Sequence, residues 1–214
     1  MNLRTPLLLA GLATALAPTL QGCFPAVATG VGAGALMITD RRASETYLSD
    51  EAIEIRALNR INDKYGEKSH VNVTSYNTKV LLTGEAPDAA ARSEIEKIVG
   101  TVPNVKAVTN EIQVAGPSSF GARSNDSYVT AKVKGRFIEA NKFSPNHVKV
   151  VTEANVVYLL GMVTRAEGDA ATEIARTTAG VQKVVRVFEY VGEAEARRLD
   201  NQPPEEAKKA PAAN

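Results

Sequence analysis

One block of this sequence occurs twice at a fixed spacing. His70-Val71-Asn72-Val73 leads into Val80-Leu81-Leu82-Thr83-Gly84, and 77 residues later His147-Val148-Lys149-Val150 leads into Val157-Tyr158-Leu159-Leu160-Gly161. An ungapped recurrence of this kind limits the chain to tandem copies of one small unit. The flanks repeat as well. Residues 50–62 place Ile53, Ala57, Leu58 and Ile61 on one helical face, and residues 126–140 do the same with Val129, Val133, Phe137 and Ala140. Asp50 and Asp126 are expected to cap these helices, because a carboxylate accepts from the free N–H groups of a first turn. Short strands are predicted at 71–75 and 79–85, and at 148–152 and 156–163, joined as hairpins by Tyr76-Asn77-Thr78 and Glu153-Ala154-Asn155. A second helix is predicted at 88–99 and 165–178, and a closing strand at 105–114 and 181–191. The pattern predicts an α+β fold of two tandem α-β-β-α-β units, each a three-stranded sheet covered on one face by two helices. A unit of about 70 residues is marginal for a stable core, so the two copies are expected to pack together.

The N-terminus has a different composition. Arg4 is the one charge before an apolar run over 7–20, and Leu20-Gln21-Gly22-Cys23 follows, which reads as an export signal. An uncleaved anchor is the other reading, but the run is interrupted by Pro18 and falls short of the roughly 20 residues that a bilayer crossing needs. Cys23 is the only cysteine, so no internal disulfide forms. The tetrapeptide resembles the lipobox of bacterial lipoproteins, with Gln21 where a small residue is usual. That resemblance implies cleavage after residue 22 and acylation of Cys23, each buried methylene contributing about 0.8 kcal/mol to membrane attachment. Phe24, where Asp would retain such a protein, implies passage to the outer membrane. Gly30, Gly32 and Gly34 lack the Lys-Ser or Lys-Thr of a phosphate loop. The expected division is therefore a signal peptide at 1–22, a lipidated cysteine and tether at 23–45, domains at 46–115 and 124–192, a Gly/Pro/Ser linker at 116–123 and a disordered tail at 193–214.

The repeated units resemble BON domains. Val80-Leu81-Leu82-Thr83-Gly84 and Val157-Tyr158-Leu159-Leu160-Gly161 carry the resemblance, with Pro103-Asn104-Val105 and Ala179-Gly180-Val181 opening the last strands. With the lipobox, residues 45–191 are similar to dual-BON outer-membrane lipoproteins, and Ser124 to Lys134 is the closest local match. The resemblance implies a non-enzymatic, periplasm-facing lipoprotein. Such a protein binds anionic phospholipid through its second domain, gathers at division sites and supports outer-membrane integrity. It also implies that the first helix of the second domain carries the lipid contact, with a larger aromatic at the position of Tyr128.

The residues can be weighed beside that resemblance. With 25 Lys plus Arg against 24 Asp plus Glu, no whole-chain field draws the protein to nucleic acid. His70 and His147 are equivalent, but each copy lacks a second histidine, so no metal site is expected and both rings are predicted to face solvent. No Gly-x-Ser-x-Gly, His-Glu-x-x-His or Walker sequence is present, and no catalytic residue or cofactor is expected beyond the acyl chains on Cys23. Tyr128, Lys132 and Arg136 form a stripe at i, i+4 and i+8, with Lys134 and Lys142 nearby. Aromatic plus basic suits a lipid interface, each cation contributing about 1 kcal/mol against an anionic leaflet. Tyr128, Lys132, Lys134 and Arg136 are thus the expected phospholipid site. The alternative is that Tyr128 packs on the other copy while the cations form a solvated face. The matching helix of the first copy, with Glu51, Glu54, Arg56 and Arg60, is mixed in charge. A second functional reading is an adaptor whose domains bind an envelope protein, such as an outer-membrane assembly factor or a division-site component.

Overall fold

A computed structural model describes residues 40–201. The signal segment 1–22, Cys23, most of the tether and residues 202–214 lie outside the described residues. The first unit runs α1 (Ser44–Tyr65), β1 (His70–Tyr76), β2 (Lys79–Ala86), α2 (Ala89–Gly100), β3 (Ala107–Asn110) and β4 (Gln113–Val114). The second runs α3 (Phe120–Ala140), β5 (Lys149–Glu153), β6 (Val156–Val163), α4 (Arg165–Arg176), β7 (Lys183–Tyr190) and α5 (Glu193–Asp200). In each sheet the hairpin is antiparallel and the last strand lies parallel to the central one, giving the orders β1-β2-β3 and β5-β6-β7. β3 and β4 are two pieces of one edge strand, both paired with β2. The break lies at Glu111–Ile112, where the Ile112 side chain is buried in the first core.

The central strands are apolar at successive positions because both of their faces are covered. Val80 and Leu82 meet Ile53, Ala57 and Ile61 of α1 and Ile95 and Val99 of α2, while Val157 and Leu159 meet Val129, Val133 and Phe137 of α3. The intervening Leu81, Tyr158 and Leu160 join Tyr76, Val185 and Val187 in a third core between the backs of the two sheets. The result is four layers, helices outside and sheets inside. Polar contacts edge the seam: Asn72 Nδ2 donates to Glu153 Oε2 (2.7 Å), Lys149 pairs with Glu54 (2.9 Å) and Lys79 with Glu189 (2.6 Å).

Asp50 and Asp126 do not cap helices. Both α1 and α3 begin six residues earlier, α3 at Phe120 behind an N-cap Ser119 whose Oγ accepts from Ala122 N–H (3.2 Å). The linker expected at 116–123 is therefore helical from Phe120. The two aspartates are buried and grip the hairpin turns instead. Asp50 accepts from Asn77 and Thr78 N–H (both 2.8 Å) and from Ser75 Oγ (2.6 Å), and Asp126 from Ala154 and Asn155 N–H (3.0 and 2.9 Å). Each turn places both central residues at positive φ, at 51° and 65° for Asn77 and Thr78 and at 49° and 61° for Ala154 and Asn155. Two-residue turns of this hand match the strand twist, and the carboxylate ties down a conformation that Thr78 and Ala154 disfavour on their own. Gly84 and Gly161 end the repeated apolar runs because a Cβ there would lie 2.0 and 2.2 Å from the carbonyl oxygens of His70 and His147.

Two further expectations change. Residues 193–200 of the supposed tail form α5, with Ala196 and Leu199 buried. Part of the tether is packed: Arg41 is buried and pairs with Glu167 (2.7 Å) and Asp200 (2.7 Å), and it donates to Met162 O (2.8 Å), all in the second domain. Arg42 turns to the first domain, pairing with Asp50 (2.8 Å) and lying 4.2 Å from the centre of the Tyr76 ring. Adjacent residues thus clasp different domains. The clasp is hidden in sequence because the partners of Arg41 lie more than 120 positions away.

Candidate membrane interface

The histidines come first, as the residues most often recruited for chemistry. His147 does not face solvent: it is buried at the end of a short 3-10 turn, Nδ1 3.3 Å from Glu167 and Nε2 3.4 Å from Asp200, beside Arg41. Burial and then the Arg41 charge hold its pKa below the ordinary imidazole value. Burial works to raise the Glu167 carboxyl, but hydrogen bonds from Arg41 and Thr164 N–H, with the Arg41 charge, outweigh it and hold the group at about 2. Every group here is engaged with another, which makes this a structural ion cluster. His70 is half-buried on β1, and burial and then the Arg123 charge hold its pKa below the ordinary imidazole value. Among the described residues no cluster of His, Cys, Asp and Glu is arranged to hold a metal.

The residues predicted to contact phospholipid all lie on α3. Its inner face, Asp126, Val129, Val133 and Phe137, is buried, with Phe137 edge-on to Phe143 at 5.0 Å. Tyr128 is 63% exposed and does not pack on the other copy. Lys132 Nζ lies 4.6 Å from its ring centre and also donates to Ala179 O. Arg136 Nη1 donates to Ile174 O (2.9 Å), Thr177 Oγ1 (3.0 Å) and Thr178 Oγ1 (2.9 Å). Arg136 therefore caps the C-terminal end of α4, where partial negative charge gathers, and Lys132 holds the turn just beyond it. They line a shallow groove of about 470 Å³ with Gly135, Glu139, Thr177 and Thr178. Lys134, two residues beyond Lys132 and so on the opposite flank of the helix, is exposed. The structure thus brings Tyr128, Lys132 and Arg136 together and holds Lys134 apart from them.

Sequence reasoning missed Phe120. Once α3 is extended, Phe120 stands on the same outward face as Tyr128 and Ile138, and these side chains are 80%, 63% and 66% exposed. Ser119, a favoured N-cap residue directly before it, was the available signal. On α1, Leu48 and Ile55 are also exposed, so the first domain presents a shorter apolar stripe between its charges. No helix among the described residues is long and apolar enough to cross a membrane.

A BON domain profile matches residues 49–116 and again 125–192. The chain belongs to the BON-domain family. The BON copies correspond to the two α-β-β-α-β units, and the repeated runs ending in Gly84 and Gly161 are their central strands. The chain is 36% identical over 174 residues to the outer membrane lipoprotein DolP of Haemophilus influenzae, covering 80% of this chain and 90% of that one. It is 36% identical to a 21 kDa hemolysin of Actinobacillus pleuropneumoniae, covering 71% and 79% respectively. It is 27% identical to the osmotically-inducible protein Y of Escherichia coli, covering 73% and 80%.

Proposed function

We propose that this BON protein is an outer-membrane lipoprotein, anchored through Cys23 and facing the periplasm, whose second domain binds anionic phospholipid along α3. It acts by binding and not by catalysis, supporting outer-membrane integrity at division sites. Likeness to the Haemophilus lipoprotein over 90% of its length supports the location. The observation that carries the lipid reading is the exposed Tyr128 ring with Lys132 against it, on a helix whose outward face also presents Phe120 and Ile138. An aromatic ring at headgroup depth beside cations is the composition of a lipid interface.

The test is co-sedimentation of the chain from residue 24 onward with neutral vesicles and with vesicles containing phosphatidylglycerol or cardiolipin. Salt-sensitive binding to the anionic vesicles alone is expected, reduced by Tyr128→Ala and by Lys134→Glu. Reversing Arg136 would be a poor probe, because it removes a cap of α4. Binding that ignored both substitutions would sink the site. A second reading, an adaptor for an envelope protein, is favoured by the exposed Leu48 and Ile55 on α1. Envelope cross-links lost on Leu48→Glu with Ile55→Glu, while vesicle binding persisted, would support it.

A further inference from the structure

The family match leaves residues 117–124 unassigned between its two spans. In this chain five of those residues, Phe120 to Ser124, open α3 and lengthen it beyond the matched domain. Phe120 is the most exposed of the large apolar side chains among the described residues, at 80%. At 100° per residue it shares a line with Ser124, Ala131 and Ile138, bordered by Tyr128 and Gly135. From Phe120 to Ile138 this line runs about 27 Å at 1.5 Å per residue. Arg123 and Lys134 lie along one flank and Lys132 along the other, while Arg136 is turned to α4, and Glu139 is the one exposed acid on α3.

Resting on the lipid reading above, we infer that Phe120 is a second insertion anchor, so that α3 lies flat on the bilayer over its whole length. An apolar stripe with cations on both sides suits a helix lying in the plane of an anionic surface, its rings below the headgroups and its cations level with the phosphates. The length is what Tyr128 alone does not supply. An interface held only at Tyr128 would pivot on one ring, whereas anchors at Phe120, Tyr128 and Ile138 fix the helix along its axis. Phe120 is 80% exposed, and the groove along α3 is lined by Lys132, Gly135, Arg136 and Glu139 on another part of the helix.

The chain contains no tryptophan, so one introduced at position 120 reports alone. Phe120→Trp and, separately, Tyr128→Trp would be made in the chain from residue 24 onward, which holds every core residue described above. Each would be titrated with phosphatidylglycerol vesicles, with and without lipids brominated on their acyl chains. Blue-shifted emission quenched by bromine at both positions supports the inference, as would binding about tenfold weaker for Phe120→Ser, the scale expected from one lost ring. Quenching at position 128 with unchanged emission at 120 would overturn the Phe120 anchor and leave the lipid reading standing. Absence of binding in the sedimentation assay would overturn both.

Discussion

The most informative single residues are Asp50 and Asp126, equivalent in position and unequal in employment. Asp50 satisfies two turn N–H groups, a buried hydroxyl and Arg42, whereas Asp126 satisfies two turn N–H groups. Removing Asp50 also leaves a buried guanidinium short of a partner. Asp50→Ala is expected to cost about 4 kcal/mol and Asp126→Ala about 2 kcal/mol, read from urea unfolding. Equal losses would show that Arg42 contributes nothing through Asp50. Sequence marked both residues as special and misjudged why. An aspartate before an apolar-periodic stretch has the appearance of a cap, and only the folded hairpin reveals N–H groups 27 to 29 positions away. His147 was misplaced for the same reason: it sits in a 3-10 turn ahead of β5, where strand alternation does not apply, and α5 and Arg41 close over it from distant parts of the chain.

At the scale of elements, the runs Val80-Leu81-Leu82 and Val157-Tyr158-Leu159-Leu160 already carried the information that both faces of the central strands are buried. What no local pattern carried was α5, a short polar helix held by Ala196, Leu199 and the pairing of Asp200 with Arg41. A chain ending at Gly192 is expected to lose about 2 kcal/mol of stability, roughly the burial of one leucine. The cluster beneath α5 also sets an acid response. The low pKa of His147 means that the unfolded chain takes the proton first, so stability falls as pH drops below about 6.5. Glu167, held at about 2, gives stability that is complete above the ordinary carboxylate range and is lost as pH falls toward 2. Thermal melts between pH 7 and 3 should therefore decline in two stages. His70, lowered by burial and then by the Arg123 charge, shares the first stage. His147→Gln should shrink that stage, and an unchanged profile would remove His147 from the account.

For the whole molecule, duplication and fold class were legible because the repeat is ungapped and each unit keeps the same helix and strand periods. The arrangement of the two units was foreseen only as far as the size argument reaches, that two marginal cores gain by sharing a surface. The shared surface is the third core, so either half alone would expose Leu81 or Tyr158 and Leu160 to water. Residues 40–116 expressed alone are expected to be unfolded or self-associated by size-exclusion chromatography and circular dichroism. A monomeric, cooperatively melting fragment would show that the back-to-back packing is dispensable. The clasp has a mechanical meaning. Because Arg41 and Arg42 are neighbours that enter different domains, traction arriving along the segment nearest Cys23 is delivered at the seam and divided between both halves. Unravelling from that end must begin by extracting a buried guanidinium from two carboxylates, so a pull arriving there meets a buried ion pair first.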